Sequence, residues 1–227
     1  LRGVAIHLAK GFGDICIEGN TLICGASATL SQIARAALAH SLTGFEFAAG
    51  IPGSLGGAIV MNAGAYDGEM KQVVKSVTLM NYEGETVKKS AEEMRFSYRH
   101  SLLKEEQLIV LEAEIVLQKG DAEKIKEKMD DLAARRREKQ PLEYPSAGST
   151  FKRPKGYFAA KLIQDAGLRG FCVGDAQVSE KHCGFVVNKG SASSADIYAL
   201  IKEVQKRVKA SAGVDIETEV ICLGEFD

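Results

Sequence analysis

The chain has 227 residues, 45% of them hydrophobic and 26% charged, enough for one large domain or two small ones. A formal net charge of −1 gives no overall case for a nucleic acid or a membrane surface as partner, and no apolar run reaches the ~20 residues that a membrane-spanning helix needs. The five cysteines (Cys16, Cys24, Cys172, Cys183, Cys222) are odd in number and lack CxxC spacing, and the four histidines do not cluster with them. That pattern argues for reduced thiols in a cytoplasmic protein and against a disulfide frame or a metal site.

Strand signals crowd the first third: Val4–Leu8, Asp14–Glu18 and Thr21–Cys24. Gly19-Asn20 between the last two predicts a hairpin. Ser27 or Thr29 then starts a helix with Leu30, Ile33, Ala34, Ala37 and Leu38 at helical spacing, stopped by Gly44. Val73–Asn81 and Glu85–Lys88 read as a hairpin across Tyr82-Glu83-Gly84, and Leu108–Leu117 as a longer strand. Composition changes at Gly120-Asp121, where a charged helix, Asp121–Gln140, places Ile125, Met129, Leu132 and Ala133 on one face. Its end carries Arg135, Arg136, Arg137 and Lys139, which either complement the helix dipole in solvent or form a basic rim beside an anionic ligand. Pro141 ends it. Further on come a helix over Tyr157–Leu168, a strand over Gly184–Asn188, a helix capped by Ser193 or Ser194 and ended by Gly213, and a last strand over Val214–Leu223. The expected fold class is α+β, with domains at residues 1–118 and 119–227.

Three segments carry chemistry. Gly50–Tyr66 holds Gly50, Gly53, Gly56, Gly57 and Gly64 among apolar residues. Glycine is costly to order, and an ordinary solvated loop is more polar. The run therefore predicts a partly buried loop wrapped on a flat or charged ligand, its bare N–H groups open to oxygens. Arg95–Ser101 concentrates cations with Phe96 and Tyr98, so that a partly buried arginine there needs a fixed anion or a structural carboxylate. Tyr144–Pro154 holds Ser146, Ser149 and Thr150 followed by Lys152 and Arg153, which suit phosphate or carboxylate; the alternative is a serine-rich turn with a solvated basic pair. Near the end, Glu217 and Glu219 share one face of the predicted strand. Gly11-Phe12-Gly13-Asp14-Ile15-Cys16 has Cys16 where a dinucleotide fingerprint needs a third glycine, and neither a P-loop nor a nucleophile elbow occurs.

These segments, in order, resemble the UDP-N-acetylenolpyruvoylglucosamine reductase (MurB) family: Ala49–Tyr66 (AGIPGSLGGAIVMNAGAY), Phe96–Ser101 (FSYRHS), Tyr144–Pro154 (YPSAGSTFKRP), Ala166–Asn188 and Gly213–Gly224 (GVDIETEVICLG). The short connection between Leu117 and Tyr144 is similar to the type II form. The resemblance implies an FAD-binding domain of the vanillyl-alcohol oxidase and p-cresol methylhydroxylase type, here its second subdomain only, followed by an α+β domain that binds the UDP-sugar. It implies a flavoprotein oxidoreductase of peptidoglycan synthesis, and so of cell wall biogenesis, cell shape and cell division. NADPH is the co-substrate and reduces the flavin, flavin N5 gives hydride to the enolpyruvyl group, and the product is UDP-N-acetylmuramate.

By motif position, Ser149 is the expected proton donor, and Arg99 and Glu219 the stabilisers of the enol-type intermediate. Expected cofactor contacts are Gly25, Ala26, Gly50, Ile51, Pro52, Gly53, Ser54, Gly56, Gly57, Ala58, Asn62, Ala63 and Gly64. Expected substrate contacts are Lys139, Tyr144, Lys152, Arg153, Arg169, Gln177 and His182. Ile221 stands where family members often carry arginine. The family's GxGSN loop, which holds the FAD diphosphate, is expected to precede Leu1. A non-catalytic UDP-sugar-binding fragment is therefore the alternative, with an unrelated nucleotide-sugar isomerase or transferase behind it. A monomer is expected.

Overall fold

A computed structural model describes residues 4–9 and 11–224. It divides into two compact units, Ala5–Arg136 and a second from Arg137 onward.

In the first unit, β1 (Ile15–Glu18) and β2 (Thr21–Gly25) form the expected hairpin, with Gly19 at a φ of 65° that side chains disfavour. α1 (Leu30–Ala39) opens on a capping box, in which Thr29 and Gln32 satisfy each other's backbone N–H, a device worth about 1 kcal/mol. The helix stops at His40, four residues before the predicted Gly44, as Ser41 turns left-handed. After β3 (Leu42–Thr43) comes a correction. The glycine-rich run is not all loop, because Leu55–Val60 form α2. Leu55, Ala58 and Ile59 sit at i, i+3 and i+4, and burying that stripe outweighs the poor helix propensity of Gly56 and Gly57. β4 (Gly64–Ala65) and β5 (Gly68–Glu69) form a minute hairpin across Tyr66-Asp67, both left-handed.

β6 (Val74–Met80), β7 (Thr86–Ser90) and β8 (Ile109–Val116) complete an antiparallel sheet in the order β1-β2-β8-β6-β7. One face packs Leu22, Cys24, Val77, Leu79, Ala113 and Ile115 against Leu30, Ile33 and Ala37 of α1 and Leu55 and Ile59 of α2. Each fully buried leucine or isoleucine there contributes about 1.5–3 kcal/mol. The predicted strand over Val4–Leu8 does not form. Val4 and Ile6 are 92% and 79% exposed, and an alternating pattern makes no strand without a neighbour to take its backbone bonds.

β9 (Gln118–Lys119) pairs with β3, and α3 (Ala122–Lys139) follows. Met129 packs on the first core, Ile125 is buried, and Lys128 reaches the buried carboxylate of Glu46 at 3.3 Å. The compact units divide between Arg136 and Arg137, within α3, whereas the sequence expectation sets the domain boundary at 118/119.

The second unit is also α+β. β10 (Ser146–Ser149), α4 (Ala159–Asp165), β11 (Cys172–Val173), β12 (Ala176–Val178), β13 (Phe185–Asn188) and α5 (Ser194–Ala212) follow in order. The antiparallel sheet runs β10-β13-β12-β11. α4 is shorter than the predicted Tyr157–Leu168, since Phe158 is extended and acts as its N-cap. α5 begins on a Ser193/Asp196 capping box and ends on left-handed Gly213. Its Leu200, Ile201, Val204 and Val208 pack with Ile163 of α4 against Ala176, Val178 and Val186 on one face of the sheet. The predicted strand Val214–Leu223 reduces to a single bridge, Thr218 to Phe151, flanked by Lys152 N–H to Glu217 O (2.9 Å) and Glu219 N–H to Thr150 O (2.8 Å). The partner segment runs into Pro154, which has no N–H to continue the ladder, and Ile221 and Leu223 are exposed.

Candidate active site

In the first unit the turn entering α2 is sewn to the segment entering α1. Leu55 N–H donates to Ala28 O (2.8 Å), Gly56 N–H to Ala26 O (2.8 Å) and Leu30 N–H to Gly53 O (3.1 Å). This close approach explains several glycines without a ligand. A Cβ on Gly56 would press on Ala26 at 3.3 Å, one on Gly64 would lie 2.6 Å from Gly68 O, and one on Gly25 would strike the backbone of Phe12. Gly53 and Gly57 are different. A Cβ on Gly53 would meet nothing within 4 Å, one on Gly57 would meet only Ser54 Oγ at 3.9 Å, and neither residue has a positive φ. Both are exposed, as is Pro52, and the Ser54 hydroxyl makes no capping bond to α2. Bare backbone is thus presented to the surface for no reason internal to the fold. Of the other expected contacts in this run, Ile51 is half-buried against the core, Ala58 is buried, and Ala63 ties back to Ala58 O at 2.8 Å.

The run's far end is tied to the arginine turn. Asn62 is fully buried with a left-handed φ of 42°. Its Nδ2 donates to Glu69 Oε2 (2.8 Å) and to Ser97 O (3.0 Å), and its Oδ1 accepts from Lys71 N–H (2.9 Å). The side chain is therefore spent inside the protein. Ser101, also fully buried, donates to Val60 O at 2.8 Å. Between these anchors Ser97 and His100 exchange backbone bonds of 3.1 Å each, and Arg99 sits in their turn at a φ of 54°. A left-handed arginine costs on the order of 1–3 kcal/mol, a cost held by the anchors on both sides. The guanidinium is half-buried, with Nη2 3.4 Å from Gly64 O.

Arg136 closes this side. Its side chain lies over Gly50, where a Cβ would come within 3.4 Å of the arginine Cδ. Burial lowers its pKa below the ordinary guanidinium value, and nearby Tyr66 opposes that shift weakly.

In the second unit Ser149 is exposed beside a bulge in the β10–β13 pairing and lies opposite Phe185. Cross-strand partners point the same way. Phe185 and Val187 alternate with the core residue Val186, so Ser149 is on the sheet face turned away from α4 and α5. On that face a cavity of about 170 Å³ is lined by Tyr144, Gln177, Val187, Lys181 and Lys189, with Glu143, Ser179 and Glu180. Lys189 Nζ bonds Tyr144 Oη at 2.7 Å and stacks on its ring. Gln177 donates to Gly170 O (3.2 Å). His182 is half-buried, edge-on to Phe185, and its Nδ1 accepts from Gly184 N–H (3.1 Å); burial lowers its pKa below the ordinary 6.5. Lys152 is paired with Glu217 at 2.8 Å, Arg153 stacks 3.9 Å from the Phe158 ring, Arg169 bonds Gln164 (2.8 Å) and Glu180 O, and Lys139 is exposed. Glu219 is half-buried, and its backbone is bonded to the residue next to Ser149.

Comparison with known proteins places this geometry. Residues 140–223 match the family described as UDP-N-acetylenolpyruvoylglucosamine reductase, C-terminal domain, and residues 1–90 match an FAD binding domain. UDP-N-acetylenolpyruvoylglucosamine reductases of Caldanaerobacter subterraneus and Clostridium novyi are each 54% identical to this chain, over 99% of it and 74% and 73% of their own lengths. The chain belongs to the UDP-N-acetylenolpyruvoylglucosamine reductase family. The crystal structure of the Thermus caldophilus reductase is similar at 34% identity with a TM-score of 0.76, covering 87% of this chain and 70% of that one.

As a member of the reductase family the chain is an FAD-dependent oxidoreductase. The open flank of Gly53 and Gly57 fits that cofactor, being backbone that a flat or charged group can approach. Among the described residues no helix is long and apolar enough to cross a membrane. Sequence reading missed Lys181 and Lys189, which lie in loops with no periodicity to mark them. It named Arg136 only as one of a basic run, although its position on α3 was readable.

Proposed function

We propose that this chain reduces the enolpyruvyl group of UDP-N-acetylenolpyruvoylglucosamine to the lactyl ether of UDP-N-acetylmuramate, with NADPH as electron source. FAD, when bound, supplies two-electron hydride transfer. The chain's own residues handle charge and proton. Gly53, Gly57 and half-buried Ser54 receive the cofactor. Tyr144, Gln177 and His182 contact the substrate from the sheet face that carries Ser149.

Adding hydride to the methylene carbon of an enol ether leaves negative charge on the neighbouring carbon and its carboxylate. Arg99 holds that charge from a preformed turn, so no reorganisation is needed as it develops. Ser149 gives its hydroxyl proton to the same carbon, and Glu219 shares the developing density. Serine is a weak acid, so the acceptor must be strongly basic, as a carbanion-like centre is.

The observation that supports this reading best is that Ser149 and Glu219, 70 residues apart, are mounted on either side of one buried residue, Thr150. The test is Ser149→Ala in the full-length protein. NADPH-dependent flavin reduction should persist, while product formation falls by about 10²–10⁴. Unchanged turnover removes Ser149 from the reaction.

A further inference from the structure

On α3, Ile125 is buried, Met129 packs on the first unit's core, and half-buried Leu132 follows on the same helical stripe. At 3.6 residues per turn the next seat on that stripe is 136, one turn beyond Leu132. An apolar residue belongs there, and an arginine occupies it. The neighbouring charges on the helix are treated differently. Arg135 points outward and pairs with Asp131 at 2.8 Å, while Lys128 neutralises buried Glu46. Arg136 is half-buried, lies against the exposed backbone of Gly50, and has no carboxylate partner among the described residues. A partly desolvated cation without a counter-ion is unfavourable for folding. Among the described residues its neighbours are the phenol of Tyr66 and the backbone of Gly50, and neither is a carboxylate.

We propose that Arg136 is an anion-binding residue whose counter-ion is the diphosphate of a bound nucleotide, received beside the glycine-rich turn. This rests on the reductase reading above and extends it to a residue that motif position did not mark. A guanidinium suits the purpose, because its planar fork donates to two phosphate oxygens together. Its stem completes the stripe on which α3 docks, so the fork is held in place before the ligand arrives. Two diphosphates are available to such an enzyme, that of the dinucleotide cofactor and that of the sugar nucleotide, and binding experiments separate them.

The test is Arg136→Met, which keeps an apolar stem in the stripe and removes the charge, with Arg136→Lys beside it, both in the full-length protein. FAD affinity is read on the apoprotein by flavin fluorescence. UDP affinity is read on the flavin-loaded protein by calorimetry. The expected result is a thermal midpoint equal to or above wild type for Arg136→Met, with at least a tenfold loss of affinity for one nucleotide and partial recovery in Arg136→Lys. Loss confined to FAD assigns the cofactor diphosphate, and loss confined to UDP assigns the sugar nucleotide. Both affinities unchanged overturn the proposal, whether or not the midpoint falls. If wild type itself binds neither nucleotide, the reductase reading fails instead.

Discussion

Replacing Asn62 by alanine should cost more than any other single polar change in the first unit. The side chain makes one bond to the Glu69 carboxylate and two to backbone, and it is fully buried. A hydrogen bond to a charged group contributes about 1.5–3 kcal/mol and a neutral one about 0.5–1.5. Glu69 keeps Lys71 Nζ at 2.7 Å and Ser97 O keeps His100 N–H, so the group stranded by the change is the Lys71 N–H. Alanine also tolerates the φ of 42° less well than asparagine. Together these give about 3–6 kcal/mol. For a protein of this size each kcal/mol moves the midpoint by roughly 2–4 °C, so the shift should lie between about 6 and 24 °C. Calorimetry on the full-length protein reads it. Asn62→Asp should be no better near neutral pH, because it sets a second carboxylate against Glu69, and it should recover partly in acid. A midpoint within about 2 °C of wild type for Asn62→Ala would show that the web joining the glycine-rich run to the arginine turn carries no weight.

Two further outcomes follow from the same geometry. Gly68→Ala places a Cβ 2.6 Å from Phe47 Cβ and should destabilise strongly, whereas Gly53→Ala meets open space and should leave the midpoint unchanged while weakening FAD binding; equal midpoint losses would refute the distinction. For His182, burial makes the neutral imidazole the form that the fold holds. Below pH 6.5 the unfolded chain takes up a proton that the folded one resists, so stability is present above that pH and falls as pH drops toward the lower folded value. Thermal melts from pH 8 to 5 should therefore show wild type losing more than His182→Gln, and parallel curves would argue against a buried neutral ring.

Most elements were legible because their signals are local. Leu30, Ile33, Ala34 and Ala37 announce α1 by spacing, and Gly19-Asn20 announces its hairpin. What failed depended on distant partners. Val4–Leu8 alternates correctly but has no strand beside it, and Val214–Leu223 pairs only until Pro154 removes the ladder. Tyr144–Pro154 left a serine-rich turn and a ligand loop both open. It resolves into a strand because β13 supplies the bonds, which no local pattern announces. For the proposed site, motif resemblance alone singled out Ser149, Glu219 and Arg99, while residue chemistry left each with a bland alternative. The use of Asn62 as an internal tie had no sequence signal, since its partners lie up to 35 residues away. Arg136 did have one, a cation in an apolar seat.

Thr150 gives the second unit a shared mount. Its N–H donates to Gly184 O (2.8 Å), its hydroxyl accepts from Val186 N–H (3.0 Å), and its carbonyl accepts from Glu219 N–H (2.8 Å). The spacing between the serine and the glutamate is thus a property of main chain, not of rotamers. Side chains at 149 and 219 can be exchanged without disturbing where their neighbours stand. A change at 150 moves both together, like two jaws cut from one block. Alignment error in one cannot be corrected by adjusting the other, so second-site suppressors of a Thr150 defect should map to Gly184 or Val186 and not to either jaw.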